Sequence, residues 1–247
     1  MSKPDAYIIC TSPRSGSTLL CGLLRDSGVA GDPQSYFHRT ALADWRAGLN
    51  LPDTVPLPDI LNAAKSAGTA GTGMFGLRLQ RHSAAFFFEQ LARQYPQVSD
   101  DVARFEACFG ETCFIHLTRQ NKVEQSVSLV RALQSGLWHL NADGTEHERT
   151  APDKPPHYDQ EAIAAEYKTL NQYDVAWQDW FAAQNIAPLR ITYEDLATDP
   201  IATTRQVLSF LEIEGYRALT IEPELRKLAD STSADWVALF LSDPVNK

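Results

Sequence analysis

Cysteine is scarce: the four in this chain, Cys10, Cys21, Cys108 and Cys113, show no C-x-x-C spacing. A chain of 247 residues needs no disulfide framework, so they are expected to be reduced thiols, mostly buried. Only 13 glycines and 14 prolines exclude collagen-like and low-complexity character. Positive charge is also short. Lys+Arg 22 against Asp+Glu 31 leaves a formal charge of −9, which repels polyanions at long range and argues against general nucleic-acid or anionic-membrane binding. Any anion site must therefore be local. Long apolar runs are missing as well. The early run Ala6 to Cys10 is shorter than a secretory core region, and no later stretch approaches the ~20 apolar residues of a membrane span. A cytoplasmic protein without a membrane segment is expected.

What is present is a core-forming composition, 44% hydrophobic and 21% charged. At roughly 150 residues per domain the length suits one large domain or two small ones. No linker divides it, so residues 1–247 are read as a single α/β domain.

Ala6 to Cys10 is short and β-prone, and leads through Thr11-Ser-Pro-Arg-Ser-Gly-Ser17 into a helix with Leu19, Leu20, Leu23 and Leu24 on one face, stopped by Gly28. Further strands are predicted at 74–79, 113–118 and 188–193. Helical patterns follow them: Val123, Val127, Val130 and Leu133 after the third, and a helix opened by Asp199-Pro200 after the last. Between them Ile163, Tyr167, Leu170, Asp174, Trp177 and Phe181 mark a long helix with one polar interruption. Residues 141–158, polar and rich in turn formers, are expected to be an exposed, mobile loop. Alternating strands and helices imply a parallel sheet with ligands outside the strands' carboxyl ends.

Ser12-Pro13-Arg14-Ser15-Gly16-Ser17-Thr18 lies at such an end. Ser, Gly and Pro in isolation make a turn. Between a strand and a helix start they offer backbone N–H groups, the positive end of the dipole and hydroxyls to an anion, and Arg14 adds a fork matched to phosphate or sulfate. A G-x-x-x-x-G-K-[S/T] loop and a G-x-S-x-G elbow are both absent. Arg119, closing the strand 113–118, stands at a second such end, with Ser126 and Ser128 on the next helix. At ~100° per residue, Ser126 projects near the valine stripe and Ser128 about 140° from Val123, which does not choose between them.

Pro13 to Thr18 after strand one, with Arg119 and a downstream serine, resembles the 5′- and 3′-phosphate sites of sulfotransferases that use 3′-phosphoadenosine-5′-phosphosulfate (PAPS). The segments Gly28 to Phe37, Phe75 to Arg78, Gln125 to Ala132, Gln134 to His139, Tyr193 to Leu196 and Leu225 to Trp236 resemble the Stf0 family of trehalose 2-sulfotransferase-like enzymes. The resemblance implies a three-layer α/β sandwich with a mostly parallel central sheet, the P-loop-like sulfotransferase fold. It implies in-line transfer of a sulfuryl group from PAPS, without a metal, to a hydroxyl of a carbohydrate or glycolipid. By position, Arg14, Ser15, Gly16, Ser17 and Thr18 would hold the 5′-phosphosulfate, and Arg119 and Ser128 the 3′-phosphate, with Ser126 the alternative and Arg226 and Lys227 assisting. Tyr36, Arg78 and Trp138 would line the acceptor site. Relatives of this kind suggest a homodimer, for which the chain shows no interface pattern.

One departure matters. Where the family's trehalose enzyme carries a glutamate proposed as general base, this chain has Ser35. His38 is the leading replacement, as a residue whose ordinary pKa suits the role, and Asp32 is a weaker one. Two other readings stay open: a PAPS-site protein that has lost activity, and a nucleotide-dependent phosphotransferase.

Overall fold

The structure is a computed structural model that describes residues 3–141, 143–213, 225–226 and 230–243. Strands β1 (Ala6–Thr11), β2 (Phe75–Gln80), β3 (Thr112–Thr118) and β6 (Leu189–Thr192) form a parallel sheet in the order β2-β1-β3-β6. All four fall within a residue or two of the predicted segments.

β1 is buried over its whole length, and its alternation divides the core. Ala6, Ile8 and Cys10 face a layer built on Phe37, Trp45, Phe87, Phe105, Phe109 and Trp177. Tyr7 and Ile9 face the other layer, with Leu20, Leu23 and Leu24 from α1 (Ser17–Asp26) and Val207 and Leu208 from α9 (Pro200–Phe210). A strand buried on both sides carries no polar alternation, which is why this segment reads as a continuous apolar run. The first layer is formed by α3 (Leu57–Thr69), α4 (Arg81–Gln94), α5 (Asp101–Phe109) and α7 (Gln160–Ala183), so the three-layer α/β expectation holds. The smaller helices α2 (Leu42–Gly48) and α8 (Tyr193–Thr198) complete the loops around it.

Beyond the sheet's carboxyl edge, α6 (Lys122–Ser135) packs against α7 and α10 (Ser231–Ser242). The predicted stripe on α6 is buried at Val127 and Val130, but Leu133 is exposed. Asp174, the polar interruption on α7, pairs at 2.6 Å with Lys122, whose ammonium also bonds Gln125. Tyr167 on the same helix is exposed rather than core.

The expected loop at 141–158 needs correcting. Residues Glu146–Arg149 form β5, antiparallel to β4 (Leu137–Asn141), and the two residues of β7 (Leu225–Arg226) pair with the other side of β4. The turn is Asp143-Gly144, with Gly144 at φ 87 and its N–H bonded to the Asn141 carbonyl. Asp-Gly is a strong hairpin signal. It was obscured because β5, Glu-His-Glu-Arg, is exposed and has no apolar alternation to mark it. Of the cysteines, Cys10 and Cys21 are buried and Cys108 and Cys113 half-buried, all free thiols. Among the described residues no helix is long and apolar enough to cross a membrane.

Candidate functional site

The loop between β1 and α1 is held from several sides. Thr11 donates to the Leu117 carbonyl at 2.8 Å and bonds Ser15 Oγ at 2.6 Å, while Trp177 Nε1 donates to the Thr11 carbonyl at 2.9 Å. Gln125, fully buried on α6, reaches across to the Pro13 carbonyl at 2.7 Å and Ser12 Oγ at 3.1 Å. Two residues take left-handed backbone, Arg14 at φ 61 and Gly16 at φ 82. At Gly16 a side chain is excluded twice, because an added Cβ would also lie 2.6 Å from the Tyr193 ring. Gly16 is the N-cap of α1, and no side chain caps this helix. Its first N–H groups are therefore left for a ligand.

Arg14 turns toward α6 and β4. Its Nε donates to Ser128 Oγ at 3.0 Å and an Nη to the Trp138 carbonyl at 2.6 Å, with the Trp138 ring 6.0 Å away. Burial and the neighbouring Arg119 cation lower its pKa to about 10, partly opposed by Glu148. Arg119 is 5% exposed, lies 4.4 Å over the Tyr193 ring and pairs with Glu124 at 2.6 Å. Its Nε is buried and finds no hydrogen-bond partner among the described residues. A half-buried and a buried guanidinium, the second with an unused donor, thus stand beside an uncapped helix start, an arrangement suited to an anion.

Both arginines open on one cavity of 2040 Å3, lined also by Gly16, Ser17, Thr18, Ser128, Tyr36, His38, Arg78 and Trp138. All the predicted site residues except Ser15 thus meet in one cleft. Ser15 stands apart: its side chain is wholly buried and its hydroxyl bonds Thr11, which leaves its main chain as the part that belongs to the loop. Ser126 is likewise buried, donating to the Lys122 carbonyl at 2.6 Å, whereas Ser128 lines the cleft. The main chain at Arg226 is that of β7, and Lys227 lies outside the described residues.

On the acceptor side, Arg78 is tied inward, Nε to Ser35 Oγ and Nη1 to Thr18 Oγ1, both at 2.7 Å. Tyr36 donates to the Asp32 carbonyl, and Trp138 Nε1 to Thr150 Oγ1. The Asp32 carboxylate accepts from Gln34 and is not among the residues that line the cleft. His38 is exposed at the mouth, edge-on to His82 with ring centroids 4.8 Å apart. Partial desolvation of the ring, then His82, Arg39 and Arg78, push its pKa down to about 4, below its ordinary value.

Four residues at or behind the cleft escaped the sequence reading as functional groups: Tyr193, Gln125, His139 and Glu148. The first two support a cation and a loop over long sequence separations, which no local pattern reveals. The last two belong to the hairpin that looked like a loop. Among the described residues no cluster of three or more His, Cys, Asp or Glu is placed to hold a metal ion.

A small-residue loop at the carboxyl edge of a parallel sheet, with a second arginine at the neighbouring strand's tip, places the chain in the P-loop-like α/β class. Within that class the family follows from comparison: residues 6–243 match the Stf0 sulphotransferase model, and the chain belongs to this family of enzymes. It is 29% identical over 261 residues to the trehalose 2-sulfotransferase of Mycobacterium tuberculosis (strain ATCC 35801 / TMC 107 / Erdman), covering 96% of this chain and 94% of that one. It is 28% identical over 265 residues to the trehalose 2-sulfotransferase of Mycolicibacterium smegmatis, covering 97% and 96%. Among solved structures, a sulfotransferase from Alicyclobacillus acidocaldarius overlays with a TM-score of 0.45 at 13% identity over 100% of this chain and 94% of that one.

Proposed function

We propose that this sulfotransferase takes its sulfuryl group from PAPS and passes it in line to a hydroxyl of a carbohydrate or glycolipid. The observation that carries the proposal is the convergence of Arg14 and Arg119 on one cleft beside the uncapped N-terminus of α1. Two anionic ends of one nucleotide would satisfy both guanidiniums and relieve their mutual repulsion. The relatives named for trehalose make that disaccharide the first acceptor to try.

In this reading the N–H groups at the start of α1, with Ser17 and Thr18, hold the 5′-phosphosulfate, and Arg119 and Ser128 hold the 3′-phosphate. Arg14 bonds Ser128 in the ligand-free arrangement and would turn to the bridging oxygen as the S–O bond breaks. Sulfuryl transfer, like phosphoryl transfer, builds charge on the leaving oxygen, so fixed cations and N–H donors supply most of the acceleration. No metal is needed for that stabilisation. Tyr36, Arg78 and Trp138 border the space left for the acceptor, Arg78 chiefly by holding Thr18. The acceptor's proton passes to one of the imidazoles that line the cleft.

The test is mass spectrometry of trehalose, other sugars and glycolipids incubated with PAPS and pure protein. One of them should gain a sulfuryl group in the absence of magnesium. Binding of 3′-phosphoadenosine-5′-phosphate (PAP) with no transfer to any acceptor would instead mark a donor-site protein that has lost catalysis.

A further inference from the structure

In-line transfer to a hydroxyl leaves a proton to be taken up, and the cleft is lined by imidazoles that could take it. Ser35 Oγ accepts from Arg78, Arg78 donates onward to Thr18 Oγ1, and Thr18 Oγ1 lies 3.1 Å from His139 Nε2. Glu148 Oε2 lies 3.6 Å from the same nitrogen, across the β4–β5 ladder where His139 and Glu148 are partners. The ladder's register shifts on both sides of His139. Such irregularities re-aim a side chain, and here His139 enters the cleft with its side chain only 20% exposed.

We propose that His139 is the general base of this enzyme and that Glu148, on the neighbouring strand, stabilises the imidazolium it becomes. This rests on the sulfotransferase reading above. The Thr18 hydroxyl accepts from Arg78 and keeps a proton that it can give to His139 Nε2, and the proposal takes the tautomer in which that nitrogen accepts. When the 5′-phosphosulfate occupies the loop, Thr18 turns its hydroxyl to the phosphate and the Nε2 lone pair is released beside the sulfuryl group. An acceptor hydroxyl then gives its proton to Nε2 as its oxygen forms the new O–S bond. The bond from sulfur to the bridging oxygen breaks, PAP leaves with that electron pair, and the positive charge on His139 faces Glu148.

The charges around this imidazole make it conditional on the donor. Burial, then Arg14 from the loop, Arg78 from β2 and His147 from β5 hold its pKa down to about 3, with Glu148 the carboxylate facing it. Arg14 is the cation that the donor's phosphates would neutralise. Donor binding should therefore raise the basicity of His139 just when a base is required. His38 lacks this link: its pKa is lowered by burial, His82, Arg39 and Arg78, and among the described residues no hydrogen bond joins its ring to the phosphate loop.

The test uses the full chain labelled at its histidines, with the His139 resonance assigned by its loss in His139→Gln. Adding PAP should raise the His139 titration midpoint by at least about one pH unit, and Glu148→Gln should reduce that rise. With trehalose and PAPS, His139→Gln should lower kcat about 10²-fold or more, the usual effect of losing a positioned base, while PAP affinity stays within about threefold of native. A midpoint that PAP leaves unchanged or lowers overturns the proposal. So does transfer by His139→Gln within threefold of native, or a PAP affinity that collapses along with kcat, which would mark His139 as a structural support. If native protein fails to bind PAP at all, the donor reading falls and takes this inference with it.

Discussion

Replacing Gly16 by alanine tests how closely the phosphate loop is built around one missing side chain. Two separate costs can be read from the structure. At φ 82 the residue is left-handed, where an L side chain costs about 1–2 kcal/mol. The new Cβ would also lie 2.6 Å from Tyr193 Cδ2, closer than any relaxed contact, and forcing an extra carbon into packed surroundings typically costs about 1–3 kcal/mol. The total of about 2–5 kcal/mol should lower Tm by roughly 4–20 °C in a chain of this size. The Tyr193 ring lies under the Arg119 guanidinium at 4.4 Å, so displacing it should disturb the second cation as well and weaken PAP binding. The assay is a double-mutant cycle by urea unfolding and PAP titration. In a Tyr193→Ala background the cost of Gly16→Ala should fall to the backbone share of about 1–2 kcal/mol. An equal cost in both backgrounds would refute the steric argument, and an unchanged Tm and PAP affinity would refute the whole account of this loop.

Three further outcomes are expected. His116 is 2% exposed and its pKa is pushed down to about 4, chiefly by burial. The unfolded chain therefore binds more protons between about pH 6.5 and 4, and stability present above 6.5 should be lost as pH falls through that window. Urea unfolding against pH should show this slope, shallower in His116→Gln. Asp230, N-cap of α10, is held to a pKa of about 2 by Arg131 and the Ser233 bonds, so amide protection of α10 should fade only as pH drops from about 4 toward 2, and Asp230→Ala, which removes the cap, should weaken it at neutral pH. Gln125→Ala removes the buried link from α6 to the Pro13 carbonyl; stability should fall by about 1–3 kcal/mol, and PAP affinity should fall with it.

The parallel sheet and the phosphate loop were legible because both are local. β1 is a buried apolar run followed at once by its loop and helix, and Arg14, Gly16 and Thr18 are within a few residues of one another. Arg119 could be placed for the same reason, as the residue after a strand. The hairpin at 137–149 was not, since its strands are exposed and charged and only Asp143-Gly144 announced the turn. Composition cannot say which hydroxyls of a small-residue loop turn inward, as that of Ser15 does to Thr11. The choice between Ser126 and Ser128 required three dimensions: one bonds back along its own helix and the other meets Arg14 from 114 residues away. His139 and Glu148 acquire meaning only when the β4–β5 ladder puts them beside Thr18.

The measurement closest to the central claim is a calorimetric titration of PAP, with EDTA present, into native protein and into Arg14→Ala and Arg119→Ala. Native protein should bind one PAP per chain without magnesium. Each substitution removes charge-assisted hydrogen bonds of about 1.5–3 kcal/mol, so each should weaken binding roughly 10- to 150-fold. Binding that depends on magnesium, or that survives both substitutions undiminished, would contradict the two-cation cleft.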